Sequence, residues 1–143
     1  MQIQSTTSVF PTTDACRSQQ MALLSALGGS GRALRRDECG DWAIIGKRGS
    51  IHTWGDGKTW VLYTACDSPR HWTATKKRLA FCEVRQDGDD EGCFRLHQLP
   101  SREQAAAIRR AVGIYKRREV SLSVLERLKA FAFERRPRRE ARN

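Results

Sequence analysis

The sequence contains no long apolar run, and none of its apolar segments approaches the roughly 20 residues that a membrane-spanning helix needs. The apolar segment 21–27 is too short for a signal peptide and begins too far from the first residue. The five cysteines are odd in number and show no pairing rhythm, which favours reduced thiols over a disulfide framework. We therefore expect a cytoplasmic protein that does not associate with membranes.

Acidic residues are also few: 16 Asp and Glu stand against 26 Lys and Arg, for a net charge of +10. The excess is uneven, because residues 101–143 carry thirteen basic and five acidic side chains. A length of 143 residues suits one hydrophobic core. The charge favours a polyanionic partner and excludes nothing about the fold.

Complete catalytic and phosphate-binding motifs are missing. The triplet Gly57-Lys58-Thr59 lacks the earlier glycine of a phosphate-binding loop, because His52 occupies that position. A thiol-based active site would need Cys39, Asp41 and His52 to meet, and no spacing in the sequence indicates that they do. We expect a protein that is not an enzyme and needs no cofactor.

One set of residues has the right types for a zinc site. Cys66, His71, Cys93 and His97 could supply a Cys2His2 set. However, Cys66 is expected to end one strand and Cys93 to begin another, and nothing in the pattern joins the two pairs. Buried cysteines and surface histidines explain these residues better, so no metal site is predicted.

The best-supported local element is a hairpin. Two β-prone runs, 51–54 and 60–65, flank the turn-forming pair Asp56-Gly57. A two-residue turn places Thr53 opposite Trp60, whereas a three-residue loop would place Trp54 there. We favour the two-residue turn, in which residues 60–65 form a central strand.

Further strands are expected over 32–39, 42–45, 80–86 and 93–99, and a short helix over 69–79 begins at the N-cap Ser68 and Pro69. Two helices follow. The first has a Ser101…Gln104 capping box and ends at Gly113, and the second opens at Ser123 with an apolar stripe. The predicted fold class is α+β: a small antiparallel sheet of about five strands with a short helical insertion, followed by two C-terminal amphipathic helices packed on the sheet.

The composition changes abruptly near Arg32, after a glycine-rich segment. We therefore predict a flexible N-terminal extension over 1–31, in which residues 14–27 can form a short helix, a single α+β domain over 32–133, and a basic disordered tail over 134–143. Starting the chain near Gly31 should then leave its stability unchanged.

Three segments, 49–58, 71–79 and 86–93, together resemble a group of small proteins of alphaproteobacterial genomes and prophage-like regions with no assigned activity. The resemblance covers roughly residues 32–133. It implies a bacterial cytosolic setting, and it carries over no functional residue.

We predict a basic protein that associates with DNA or RNA, mainly through phosphate contacts of its C-terminal helices and Arg-rich tail. Trp72, beside a lysine-rich helix face, could stack on a base. The alternative is a protein–protein interaction module, such as a phage or mobile-element accessory factor, without a nucleic-acid role. The candidate nucleic-acid-binding residues are Trp72, Lys76, Lys77, Arg78, Arg109, Arg110, Lys116, Arg117, Arg118, Arg135, Arg136, Arg138 and Arg139.

Overall fold

The computed structural model describes residues 13–118 and 123–131. In this part of the chain a six-stranded antiparallel sheet and its helices form an α+β fold; the sheet, expected to have about five strands, has six, one from each β-prone run of the sequence. The strands follow the order β1-β2-β3-β4-β6-β5. They are β1 (Leu34–Arg36), β2 (Trp42–Ile45), β3 (Gly49–Thr53), β4 (Trp60–Ala65), β5 (Glu83–Asp87) and β6 (Glu91–Leu96).

Three helices pack with the sheet: α1 (Thr13–Leu27), α2 (Pro69–Arg78) and α3 (Arg102–Val112). A single 3-10 turn, Gly31–Ala33, leads into β1. A further helix covers residues 123–131. The predicted helical insertion is α2, which follows the central strand β4 and precedes the edge strand β5 along the chain.

The β3–β4 hairpin has the expected register, because Thr53 pairs with Trp60. The turn itself differs from the primed type that Asp-Gly favours. Its positive φ angles fall on Gly55 and Gly57, while Asp56 stays at negative φ. The Asp56 carboxylate instead accepts the backbone N–H groups of Lys58 and Thr59 at 2.9 and 2.7 Å. These two bonds hold the turn through a side chain.

One row of apolar side chains crosses all six strands on the face that the helices cover. Each residue of the row is directly paired with the next residue of the row on the adjacent strand. The four central members are fully buried, which is expected where interior strands meet packed helices. The row is Leu34, Ile44, Ile51, Leu62, Phe94 and Val84.

Helix α1 belongs to the same core, so the boundary predicted at residue 31 is wrong from Thr13 onward. Leu23 and Leu27 are fully buried in the core cluster. The buried Gln20 amide donates to the carbonyls of Trp42 and Ile51 at 3.2 and 3.0 Å, which ties α1 to β2 and β3. Residues 1–12 and 132–143, including the predicted basic tail, lie outside the described residues.

The predicted caps of α2 and α3 are confirmed. Ser68 accepts from the His71 N–H, Pro69 occupies the first turn of α2, and Ser101 and Gln104 form both bonds of the capping box. Gly113 ends α3 with φ +81°, a conformation that favours glycine. Helix α1 begins at Thr13, so Asp14 lies inside its first turn rather than at its cap.

The two C-terminal helices differ in their burial. Helix α3 buries Ile108 and Val112 in the core, as expected for packing on the sheet. The helix over 123–131 leaves its apolar side chains 39 to 57% exposed, so its stripe does not join the core as predicted. These side chains are Val124, Leu125, Leu128 and Phe131.

Candidate nucleic-acid interface

Trp72 cannot serve as the predicted base-stacking residue, because only 1% of its surface is exposed. Its ring lies 5.3 Å from that of Phe94 and packs where a side chain at residue 92 would stand, since a Cβ on Gly92 would come within 2.4 Å of the indole. Its indole N–H donates to Asp87 at 2.7 Å. Trp72 is therefore a core residue that joins α2 to the sheet.

The three basic residues at the end of α2, Lys76, Lys77 and Arg78, have different roles. The Lys76 ammonium bonds both carboxylate oxygens of Asp87 at 3.0 and 3.1 Å and lies over the Trp72 ring. Lys77 and Arg78 are exposed on the same helix. Only these last two remain candidates for phosphate contact on α2.

The two arginines at the end of α3, Arg109 and Arg110, also have different roles. The Arg109 guanidinium donates to the carbonyl of Leu27, at the C-terminal end of α1. A cation is favourable there because helix C-termini carry partial negative charge and unpaired carbonyls. Arg110 is exposed, so it can reach a ligand while Arg109 holds the two helices together.

The basic segment 116–118 is fixed to the folded domain by its backbone. Gly29 and Lys116 form an isolated β-bridge, the Ser30 N–H donates to the Tyr115 carbonyl at 2.8 Å, and the Arg117 N–H donates to the Gly28 carbonyl at 2.7 Å. The side chains of Lys116, Arg117 and Arg118 are exposed. Lys116 and Arg117 therefore stand on a hydrogen-bonded backbone, and Arg118 follows them directly in the chain.

A Schellman motif provides the partner for this segment. The N–H of Gly29 donates to the Leu24 carbonyl at 3.2 Å and the N–H of Gly28 to the Ser25 carbonyl at 3.0 Å, with Gly28 at φ +62°. The motif ends α1 at the Gly28-Gly29 pair, as predicted from the sequence. The carbonyl of Gly28 then accepts a hydrogen bond from the Arg117 N–H. The turn after α1 and the basic segment thus run side by side.

A cleft of about 600 Å³ opens between α1 and the basic segment. Lys116 and Arg117 of the basic segment and Arg17 of α1 all line it, and no described lining residue is acidic. Met21, Leu24 and Leu34 add apolar surface. Sequence reasoning found Lys116 and Arg117 by their charge but missed Arg17 and Met21, which only the packing of α1 brings here.

Arg17 is held in place by an aromatic side chain. Its guanidinium carbon lies 5.0 Å from the centre of the Trp42 ring in β2, and that of Arg36 lies 5.1 Å from the same ring. Such cation–π contacts restrain a guanidinium while its charge stays available. The sequence gives no sign of the contact between Arg17 and Trp42, because the two residues are 25 positions apart.

The sheet face opposite the helices carries a second aromatic and basic group. Trp54 is 47% exposed, and the guanidinium carbons of Arg95 and Arg85 lie 4.3 and 4.8 Å from its ring centre. Acidic groups interrupt this face: Glu83 bonds His97 at 2.9 Å and Glu91 accepts from the Tyr63 hydroxyl at 2.6 Å. The local charge is therefore more mixed than in the cleft.

A serine and a histidine meet on this same face. The Ser50 hydroxyl lies 3.0 Å from His52 Nε2, and Asp37 lies 3.7 Å from His52 Nδ1. Strand β3 is an interior strand, so its backbone N–H groups face β2 and β4 rather than a reacting oxygen. The arrangement lacks the directed donors that acyl transfer needs, and we assign it a structural role.

The candidate zinc ligands each contact different neighbours. Cys66 lies 3.5 Å from the Thr75 hydroxyl, His71 contacts Arg48, Cys93 contacts Gln86, and His97 pairs with Glu83. Within residues 13–118 and 123–131, His, Cys, Asp and Glu side chains form no group of three suited to a metal ion. The described structure thus offers no arrangement from which a metal site could be argued.

Hydrogen bonds lower the pKa of the exposed Asp87 and Glu83 carboxyl groups, and burial raises the pKa of the Cys82 thiol. The Trp72 indole N–H, followed by Lys76, lowers the pKa of Asp87. The hydrogen bond from His97 is the main cause that lowers the pKa of Glu83, whereas burial raises the pKa of Cys82 to about 12. The Cys82 thiol therefore stays uncharged at neutral pH and behaves as a small apolar group.

The comparisons with known proteins identify no relative: no family model matches the chain, and neither a curated protein nor a solved structure is significantly similar to it. In the part of the chain that the structure describes, every helix is too short or too polar to span a bilayer.

Proposed function

We propose that this protein is a non-enzymatic nucleic-acid-binding protein whose phosphate contacts centre on Lys116, Arg117 and Arg118. One observation carries the proposal: the exposed cations Lys116 and Arg117, on a hydrogen-bonded backbone, line a cleft together with Arg17, and no described lining residue is acidic. Phosphate neutralisation by Lys and Arg dominates nucleic-acid affinity. Cations held on ordered backbone lose less conformational freedom when they bind phosphate.

The exposed residues Lys77, Arg78 and Arg110 add positive charge on α2 and α3. The arginines of the tail, Arg135, Arg136, Arg138 and Arg139, lie outside the described residues and enter the proposal on their charge alone. Lys76 and Arg109 are engaged within the fold and are left out of it. Trp72 is left out because it is buried.

The test is a salt series of binding to a generic DNA duplex with the triple variant Lys116→Glu, Arg117→Glu, Arg118→Glu. We expect weaker binding and a log K against log salt slope reduced in magnitude by about 2 to 3, since each lost phosphate contact contributes roughly 0.9. The matched control, Lys58→Glu, Arg70→Glu, Arg102→Glu, makes the same charge change at exposed positions outside the candidate interface and should cause a smaller loss. Equal losses would show attraction by net charge alone, and absence of binding by the full chain at low salt would refute the proposal.

The tail is tested separately by removing residues 135–143, which deletes five arginines and one glutamate. If the tail contacts phosphate, truncation leaves folding intact and lowers the slope by up to about 4. An unchanged slope would limit the interface to the folded domain.

A protein-interaction module is the second candidate, and the helix over 123–131 favours it. Its Leu125 and Leu128 are 39 and 57% exposed, and exposed apolar groups of this kind anchor protein interfaces. Binding through them would depend little on salt, which separates this function from phosphate binding.

A further inference from the structure

We propose that the cleft between α1 and the basic segment binds one unpaired nucleotide of a single strand, with its phosphate between Arg17, Lys116 and Arg117 and its base over Met21. This inference rests on the proposed nucleic-acid function and specifies the form of nucleic acid recognised. The cleft volume of about 600 Å³ lies within the usual range for small-ligand sites, about 300 to 1,000 Å³.

The cations that line the cleft come from two elements of the fold. Lys116 and Arg117 stand on a strand-like segment bonded to Gly28 and Gly29, and Arg17 is restrained by the Trp42 ring. Positive charge from two elements of the fold, without an acidic residue in the described lining, suits a phosphate group, and guanidinium groups can bond two phosphate oxygens at once. The chemistry of the rim therefore selects an anion.

The apolar surface distinguishes a nucleotide from a simple anion. Met21 is 51% exposed on α1, and Leu24 and Leu34 contribute further apolar surface. A phosphate alone would leave this surface unused, whereas the flat face of a base can cover it. Methionine suits such a contact because its thioether is flexible and polarizable and packs well against aromatic rings.

Gly31 leaves open space at the cleft. Gly28, Gly29 and Gly31 line the cleft, and a Cβ on Gly31 would meet no other atom within 4 Å. Gly31 is not at positive φ, so a larger side chain there is compatible with the backbone. Position 31 therefore offers a way to fill the cleft without changing its charge.

Duplex DNA does not fit this arrangement. Its bases are stacked and paired inside the helix, and only unstacked bases can enter a protein pocket. The cations can still contact duplex phosphates from the rim. The inference thus predicts that apolar contacts in the cleft strengthen binding to single strands alone.

The experiment measures fluorescence anisotropy of the full chain with a labelled twelve-nucleotide oligothymidylate and with a labelled blunt-ended duplex of two complementary strands, which has no unpaired loop. The variants are Met21→Ser and Gly31→Leu, neither of which changes the charge. The matched control is Ala22→Ser, at an exposed position on α1 outside the cleft. Thermal melts of all four proteins verify that the fold is retained.

We expect each cleft variant to weaken oligothymidylate binding by about fivefold to tenfold, within the range for loss of one base contact. Duplex affinity and the affinities of the control should change by less than about twofold. The salt slopes stay constant because no cation is removed.

Equal effects on single strand and duplex, or no effect on either, would overturn the inference. If the cleft variants leave single-strand binding intact while the Lys116, Arg117 and Arg118 variant weakens duplex binding, the proposed function stands and the inference fails. Failure of the full chain to bind either nucleic acid would refute both. Met21-dependent binding to phosphatidylglycerol vesicles without oligonucleotide binding would instead identify an anionic lipid as the ligand.

Discussion

The two faces of the sheet each involve a tryptophan, and the two indoles are held in opposite ways. On the helix-covered face, Trp72 is buried against Gly92 and Phe94 and its N–H bonds Asp87. On the other face, Trp54 is 47% exposed and contacts the guanidinium groups of Arg85 and Arg95. A tryptophan that contacts basic side chains can thus be a core residue or a surface residue. The partner across the fold decides which.

The largest effect should come from removing α1, which covers the buried face. A chain that begins at Gly31 loses Leu23 and Leu27, both fully buried, and the two bonds from Gln20 to the sheet. We expect loss of the cooperative thermal transition in circular dichroism. The single variant Leu23→Ala should already cost about 2 to 5 kcal/mol. A shortened chain that melts within a few degrees of the full chain would contradict the role of α1 in the core.

The two tryptophans themselves provide the next test. Trp72→Ala should lower the free energy of unfolding by about 3 to 5 kcal/mol, because it leaves a cavity and an unused acceptor on Asp87. Trp54→Ala should cost no more than about 1 kcal/mol, the value of exposed cation–π contacts. Urea denaturation measures both. Similar costs would mean that the two faces contribute alike to stability.

Local chemistry explains which parts of this fold could be predicted from sequence. The Ser101…Gln104 box, the Gly113 cap and the pairing of Thr53 with Trp60 are set by residues within a few positions of one another. The detailed β3–β4 turn was mispredicted because the Asp56 side chain accepts backbone N–H groups that a primed turn would use differently.

The errors concern residues whose partners are distant in sequence. The sequence predicts α1 as part of a flexible extension, because the apolar stripe of the helix does not show that it packs on the sheet. Trp72 was misplaced for the same reason, since Asp87 and Phe94 follow it by 15 and 22 positions. In the candidate site, charge alone identified Lys116 and Arg117, while Arg17 and Met21 required the docked position of α1.

A smaller effect is expected from the polar contact inside the buried face. Gln20→Leu keeps the size of the side chain but leaves the carbonyls of Trp42 and Ile51 without their amide partner. The expected cost is about 1 to 3 kcal/mol, measured by urea denaturation. Gln19→Leu is the matched control, because Gln19 is only partly buried and donates a single 3.2 Å bond to Thr59. If Gln20→Leu has the same free energy of unfolding as Gln19→Leu, the two hydrogen bonds of Gln20 do not stabilise the fold.

The smallest effect concerns Asp87, the carboxylate that binds the buried indole and has no counterpart at Trp54. Hydrogen bonds from the Trp72 indole and from Lys76 lower its pKa in the folded protein below the ordinary value of 3.8. A lowered folded-state pKa stabilises the protein above the unfolded value, and this contribution disappears as the pH falls through the folded value. Asp87→Asn should therefore be less stable than the parent protein at pH 6, with the difference shrinking below pH about 4. Asp89→Asn, in the neighbouring turn, serves as the control and should follow the parent curve. Urea midpoints at several pH values measure the difference. Parallel curves for the parent and Asp87→Asn would show that the charge on Asp87 does not stabilise the contact between α2 and β5.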